Sequence, residues 1–416
     1  MSNRNDPIKT IKKIRSAILN RCYKLEQSLH ARYSYALHRL QGGTPRTRLL
    51  KHSAFNWQAR HPPTGSRLDR HAIFVAYHPG QVVPESNVNY LKSLVNCGFQ
   101  ITYIHNGPLE AALREPLEEF CTQIICRENI GQDFGAWKDW LLGGFHQHRF
   151  DHVQWLLLCN DSNFFLAKNA QAFEKDFSAA LSEDNIDLIA LNKNLEISPH
   201  YQSYFLCFHR RLFLKPNFIR FWNEYKPLGN RHHAIAQGEM RLTSQIMPQA
   251  RSKVLYNWSD LYIAISHSAP KRFEFYTLLP KGCMHLAQHD HLDAAQNEAA
   301  IGNIELHKVF MILELHNPAH ALALLFVRYC NSPFLKKDIV NNGCYSIAQI
   351  TELLLAINTQ QNSTAWNEIL NHYMLANNSS YIANPKQAFK LGIPIHGQRF
   401  QGHGELIGDL GLSRDA

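Results

Sequence analysis

The sequence predicts an α/β protein built on a doubly wound, Rossmann-type, mostly parallel sheet, with a basic helix before it and a helical extension after it. Three observations lead there. Short, near-continuous apolar runs such as 72–77 (AIFVAY) and 153–159 (VQWLLLC) read as strands buried on both faces, as parallel sheets require. Segments with helical spacing separate them, as crossover connections demand. Two polar signatures, Arg127-Glu128-Asn129-Ile130-Gly131-Gln132-Asp133 and Cys159-Asn160-Asp161-Ser162, follow directly on expected strands, where open α/β sheets bind ligands.

The elements follow in order from residue 70. Residues 72–77 form the first strand, 86–97 a helix with Ser86 as its cap, and 99–105 the second strand. A helix over 109–120 precedes the strand 122–126, and 134–142 is helical with Gly143-Gly144 as its stop. The most apolar strand is 153–159, followed by a helix over 170–181 and a strand over 186–191. Beyond residue 195 the alternation ends. Residues 203–208 read as an added strand, and 217–225, 239–247, 305–315, 319–329, 347–357 and 365–375 as helices. This divides the chain into a basic segment over 1–60, a catalytic domain over 70–300, a helical extension over 301–380 and an irregular tail over 381–416 rich in Gly, Asn, Gln and His. Gly42-Gly43-Thr44-Pro45 and His61-Pro62-Pro63-Thr64-Gly65 punctuate the linker between the first two.

Charge is concentrated at one end. Residues 1–51 hold 12 Lys and Arg against Asp6 and Glu26, a surplus of ten, while the whole chain carries only +9. Within that segment Ile8, Ile11, Ile14, Ile18, Cys22, Leu25 and Leu29 recur at spacings of three and four, which places them on one face of an amphipathic helix. Such a helix can lie on an anionic membrane surface, and its plain alternative is a helix packed on protein with solvated charges.

Composition excludes several classes. With 45% hydrophobic and 11% aromatic residues the chain can bury a large core, so it is not a disordered protein. Its nine cysteines are odd in number, scattered and free of any C-x-x-C pair, which disfavours a disulfide framework and points to a reducing compartment. The longest apolar run, near 321–327, is far short of a membrane span, and the basic start lacks a signal-peptide core, so a cytoplasmic location is expected. Neither G-x-G-x-x-G nor G-x-x-x-x-G-K-[ST] occurs, which disfavours a dinucleotide oxidoreductase or a P-loop enzyme. A near-neutral remainder argues against nucleic-acid binding.

The first strand ends at Tyr77-His78-Pro79-Gly80, a turn suited to wrapping a base or ribose. In Asn129-x-Gly131-x-Asp133 the glycine would let a ligand approach the backbone, and the amide and carboxylate can bond hydroxyls; the plain alternative is a helix cap at Asp133. Asn160, Asp161 and Ser162 stand at the end of the most apolar strand, where a carboxylate can hold a Mn2+ or Mg2+ ion against a diphosphate. Only one acid is present there. His285, His289 and His291 beside Asp290 have metal-ligand spacing, and His289 is the candidate that completes such a site; a solvated loop is the plain alternative.

These residues resemble the rhamnan synthesis protein F family of bacterial polysaccharide glycosyltransferases. The matching stretches, in order, are Arg127 to Gly135, Cys159 to Ser162, His200-Tyr201-Gln202-Ser203-Tyr204-Phe205, Gly238-Glu239-Met240-Arg241-Leu242-Thr243, Asn317-Pro318-Ala319-His320, and Asn331 to Lys337. The departure is Asn163-Phe164-Phe165-Leu166-Ala167, where the family commonly turns through small aromatic or glycine-proline residues. The resemblance implies a GT-A-like transferase that takes rhamnose from dTDP-rhamnose to a growing lipid-linked glycan such as O-antigen or capsule, working peripherally at the inner face of the plasma membrane. Under it, Tyr77, Asn129, Gly131, Asp133, Asn160, Asp161 and Ser162 bind the donor, Asp161 with His289 holds the metal, and His200 and Ser203 line the acceptor side. Glu239 is the expected base, its plain alternative being an acid at a helix start favoured by the dipole. Lys336 and Lys337 read as a solvated pair, with phosphate contact as their other use. The competing reading is a non-catalytic scaffold of a polysaccharide assembly complex, motivated by the single acid at Asp161.

Overall fold

The computed structural model describes residues 55–78, 83–195, 198–229, 231–280, 298–314, 316–341 and 344–357, with 25, 29, 32, 33, 36, 367–369 and 371–372. Its centre is an eight-stranded sheet made of β1 (Phe55–Gln58), β2 (Arg70–Ala76), β3 (Gln100–His105), β4 (Gln123–Cys126), β5 (Trp155–Asn160), β7 (Leu188–Ala190), β10 (Phe205–His209) and β11 (Ser252–Val254), in the order β1-β4-β3-β2-β5-β10-β7-β11. Strands β2, β3, β4 and β5 run parallel, as do β7 and β11, whereas β1 and β10 run against their neighbours. Chain order reverses direction across β2 and β5, which makes the C-terminal ends of those two strands the switch point of the sheet.

Why the strands read as continuous apolar runs is visible in their alternation. Ala72, Phe74, Ile101, Tyr103, Leu157 and Cys159 pack into one core, while Ile73, Val75, Ile104, Leu156 and Leu158 pack into another on the opposite face. Helices Glu85–Asn96, Ala111–Glu118 and Ala170–Leu181 cover the first face and Gln132–His146 and Pro216–Glu224 the second. Helix Asn303–Leu313 and residues 318–326 contribute Val309, Phe310, Leu322 and Phe326 to the same core as Phe74.

Two helix boundaries differ from expectation. Ser86 does not cap the helix after β2; it lies inside the first turn, and its hydroxyl and amide bond Glu368 at 2.8 and 3.0 Å. Gly143-Gly144 does not stop the next helix, which continues to His146, because Gly144 is the contact point for the Phe150 ring, 2.4 Å from where a Cβ would stand. A third difference bears on the site. Glu239 begins no helix: it lies within a continuous helical run from Arg231 to Ile246, in a wide π-helical stretch Ala234–Met240.

The added strand β10 is present as expected, and being antiparallel it starts where its parallel neighbours end, with Phe205 opposite Cys159. A small hairpin-like pair lies next to it, β8 (Lys193–Asn194) with β9 (His200–Tyr201). At the same edge β6 (Asn163–Phe165) pairs antiparallel with β12 (Phe334–Lys336), bringing a late segment of the chain against the residues after β5. The basic helix expected over 1–60 lies outside the described residues except for Leu25, Leu29, Arg32, Tyr33 and Ala36, all helical and exposed, and for the segment from Phe55 on. The tail 381–416 lies outside them entirely. Among the described residues no helix is long and apolar enough to cross a membrane.

Candidate active site at the C-terminal edge of the sheet

The switch point supplies the first cluster. After β5 the Asp161 amide donates to the Val75 carbonyl at 3.1 Å, and after β2 the Tyr77 amide donates to Asp161 Oδ2 at 3.3 Å, so the two strand ends are stitched through the backbone and side chain of one residue. Asp161 stays partly open to water, its side chain 18% exposed. Behind it lies His78. Its Nε2 lies 2.7 Å from the Tyr103 hydroxyl and 3.2 Å from the Asn87 side-chain amide, and its Nδ1 lies 3.7 Å from Asp161 Oδ2. Burial lowers the His78 pKa to about 4 against the pull of Asp161, so this imidazole is neutral at physiological pH.

The loop after β4 is held by a buried arginine. Arg127 donates to Asn106 Oδ1 at 2.5 Å, to the Ile130 carbonyl at 3.0 Å and to Asp139 Oδ2 at 2.9 Å. Gly131 and Gln132 then take left-handed backbone angles, with φ of 75° and 54°, and turn the chain into the helix. Gly131 is needed for more than its angle. A Cβ there would lie 2.3 Å from the Pro227 Cβ, so the close approach made by this glycine is to Pro227 and not to an open face. Asn129 is exposed in the same loop.

Asp133 does not cap its helix, whose N-terminus carries no side-chain cap; its Oδ2 accepts the Asn160 side-chain amide at 2.7 Å. The other end of that amide, Asn160 Oδ1, accepts both the Ser162 amide at 3.1 Å and the Ser162 hydroxyl at 2.6 Å. Asn160 thus locks the two signatures together. Burial, and then the charge of Asp161, raise the Asp133 pKa to about 7, with the Asn160 hydrogen bond opposing.

The second cluster lies beside the first, across the start of β10. Glu239 Oε1 accepts the Ser203 amide at 2.5 Å, and its Oε2 lies 4.0 Å from His200 Nε2. That contact replaces the helix-start role: the carboxylate of Glu239 serves a neighbouring loop and not its own helix. His200 itself is buried and bonds the Ser198 carbonyl through Nδ1 at 2.7 Å. The Asn160 backbone amide reaches the Tyr204 carbonyl at 3.4 Å, which makes the two clusters one continuous edge.

Lys336 overturns its reading as half of a solvated pair. Strand β12 delivers its ammonium to 2.8 Å from Ser162 Oγ and 4.4 Å from the centre of the Tyr204 ring. Burial lowers the pKa of this ammonium, Asp338 raises it and Arg231 lowers it again, while Glu239 and Asp133 also raise it. Lys337 approaches the Phe164 ring at 5.6 Å.

The expected sites are therefore brought together for Tyr77, Asp133, Asn160, Asp161 and Ser162, and separately for His200, Ser203 and Glu239. His289 lies outside the described residues. Among the described residues no three His, Cys, Asp or Glu side chains converge as a cation site: Asp161 is available, whereas Asp133 is engaged by Asn160. His78 and Arg127 stand within the turn and the signature quoted from the sequence without a role of their own, and Asn106 was not singled out; their position as polar residues after β2, β4 and β3 was the signal for all three.

A family model described as rhamnan synthesis protein F matches residues 101–308, half of the chain. The sequence is 25% identical over 282 residues to the uncharacterised protein y4gN of Sinorhizobium fredii, covering 64% of this chain and 70% of that protein. Among solved structures it is similar, at 11% identity and a TM-score of 0.28, to a mannosyltransferase of Pyrobaculum calidifontis in complex with GDP-Man and Mn2+, over 89% of this chain and 98% of that one. The order and direction of the chain's own strands define its fold.

Proposed function

The chain belongs to the rhamnan synthesis protein F family, and from that premise we propose that it is a GT-A-like glycosyltransferase of polysaccharide synthesis. It moves a sugar, with rhamnose from dTDP-rhamnose the first candidate, from a nucleotide diphosphate to a lipid-linked glycan. The observation that carries this reading is the shared edge at the switch point. There Asn160, paired with Asp133 and next to Asp161, bonds the Tyr204 carbonyl, and Glu239 bonds the amide of the preceding Ser203.

Tyr77, Asn129, Asp133 and Asn160 hold the nucleoside and donor sugar, with Gly131 fixing the turn that presents them; Asp161 and Ser162 face the diphosphate. One oxygen of Glu239 is fixed by the Ser203 amide, which leaves Oε2, beside His200, to take the acceptor's proton. In the transfer, the bond from the sugar's C1 to the diphosphate oxygen breaks and its electron pair stays on that oxygen. The acceptor oxygen bonds to C1, and its proton passes to the Glu239 carboxylate. A basic amino-terminal segment with an apolar stripe suits an enzyme that works on the cytoplasmic face of a membrane.

The test is a thermal-shift panel of nucleotide diphosphates and nucleotide sugars, with and without Mn2+ or Mg2+, on wild type and D161A. Stabilisation by one nucleotide that disappears in D161A supports the reading. Wild type indifferent to every nucleotide would overturn it in favour of the scaffold role.

A further inference from the structure

Transfer from a nucleotide sugar leaves an additional negative charge on the departing diphosphate, and stabilising it is where such an edge gains most of its rate. We infer that Lys336, carried in on β12 from outside the sheet, is the cationic group that binds the departing diphosphate. This rests on the transferase reading and assigns a residue to a step which that reading leaves to Asp161 and Ser162.

The position is built, not incidental. Pairing of Lys336 with Asn163 across β6 and β12 fixes its backbone one residue past Ser162, and the Lys337 amide donates to the Ser162 carbonyl at 3.0 Å. At its tip the ammonium donates to Ser162 Oγ, whose own hydrogen goes to Asn160 Oδ1. The Tyr204 ring beneath it is held in turn, its hydroxyl donating to Asn192 Oδ1 at 2.5 Å. An ammonium has three hydrogens, and Ser162 takes one of them.

What surrounds it matters as much. The carboxylate nearest in sequence, Asp338, is committed to Arg231 at 2.6 Å, and His320 lies 3.9 Å from it. Burial pushes the Asp338 carboxyl up, but Arg231, Lys336 and His320 hold it well below the usual range. Among the described residues Lys336 forms no ion pair within 4.0 Å. A half-buried cation without a bonded counter-ion is costly to keep, and an incoming diphosphate offsets that cost. The charges it senses beyond Asp338 and Arg231 are Glu239 and Asp133, one from each half of the edge.

The experiment titrates dTDP, UDP and GDP, and the matching nucleoside monophosphates, into the full chain as wild type, K336M and K336R, in EDTA and again in Mg2+. For the diphosphate that wild type binds, K336M should weaken affinity about 10- to 100-fold, the loss of one charge-assisted hydrogen bond. Affinity for the monophosphate should fall much less, and K336R should recover most of the diphosphate binding. Should K336M fail to fold, K336Q makes the same comparison. An unchanged diphosphate affinity, or equal losses for mono- and diphosphate, would overturn the assignment of Lys336 while leaving the transferase reading in place. Wild type that binds none of the nucleotides would sink both.

Discussion

Replacing Asp133 by Asn tests the electrostatics of the edge at the switch point in one isosteric step. Asp133 is mostly removed from water, faces Asp161, and has a pKa raised from 3.8 to about 7. The folded protein therefore holds a proton there that the unfolded chain has released. The sign follows from that. The contribution of Asp133 is fully present below pH 3.8 and is lost as pH rises towards about 7. At about 1.4 kcal/mol per pH unit the full span is about 4 kcal/mol. Residual solvent at this rim screens the carboxylate, which reduces the expected effect to about 1–2 kcal/mol. The amide introduced by D133N would keep an oxygen for the Asn160 side chain to donate to and carry no charge. Urea denaturation of wild type and D133N at pH 4, 6 and 8 reads the difference directly, because other titrating groups cancel between the two. D133N should be the more stable at pH 8, with the gap closing towards pH 4. A D133N midpoint at or below wild type at pH 8 would refute the reasoning.

Other consequences can be checked alongside. R127M leaves Asp139 buried without its 2.9 Å partner, and a loss of about 3–5 kcal/mol in unfolding free energy is expected; less than about 1 kcal/mol would mean the pair is dispensable. G135A places a Cβ 1.9 Å from the Ile130 carbonyl oxygen, so overpacking of about 1–3 kcal/mol should appear as a lowered melting temperature, and an unchanged one would contradict the packing. E239Q retains the oxygen that accepts from Ser203 but cannot serve as the proposed base, so kcat should fall about 100- to 10,000-fold with donor affinity preserved, as measured by turnover beside nucleotide titration.

How much of this was legible depended on whether local pattern or tertiary contact decided each element. Strands β2 to β5 could be read because burial on both faces leaves them almost wholly apolar. The edge strand β1 could not, since Phe55–Gln58 alternates and lies before the linker-like prolines. Strands β6 and β12 are three residues each and exist only through their pairing. Glycine misled once: Gly143-Gly144 looked like a stop, yet a Cβ at Gly144 would meet Phe150 at 2.4 Å, so the residue is small to admit an aromatic ring. For the site, Asp133, Asn160 and Asp161 stood out because strand ends concentrate function, but nothing local distinguished their mutual hydrogen bonding from helix capping or a polar turn.

The pairing of β6 with β12 also governs when the edge can exist during synthesis. The hydrogen bond between Lys336 and Ser162 spans 174 residues, whereas the sheet contacts around β2, β3 and β5 close much shorter loops. A nascent chain emerging from the ribosome can therefore assemble its central strands while this edge still lacks its lysine, which is made 174 residues after Ser162. Completion of the edge therefore trails formation of the central strands, and fragments released before residue 336 would carry those strands without the finished edge.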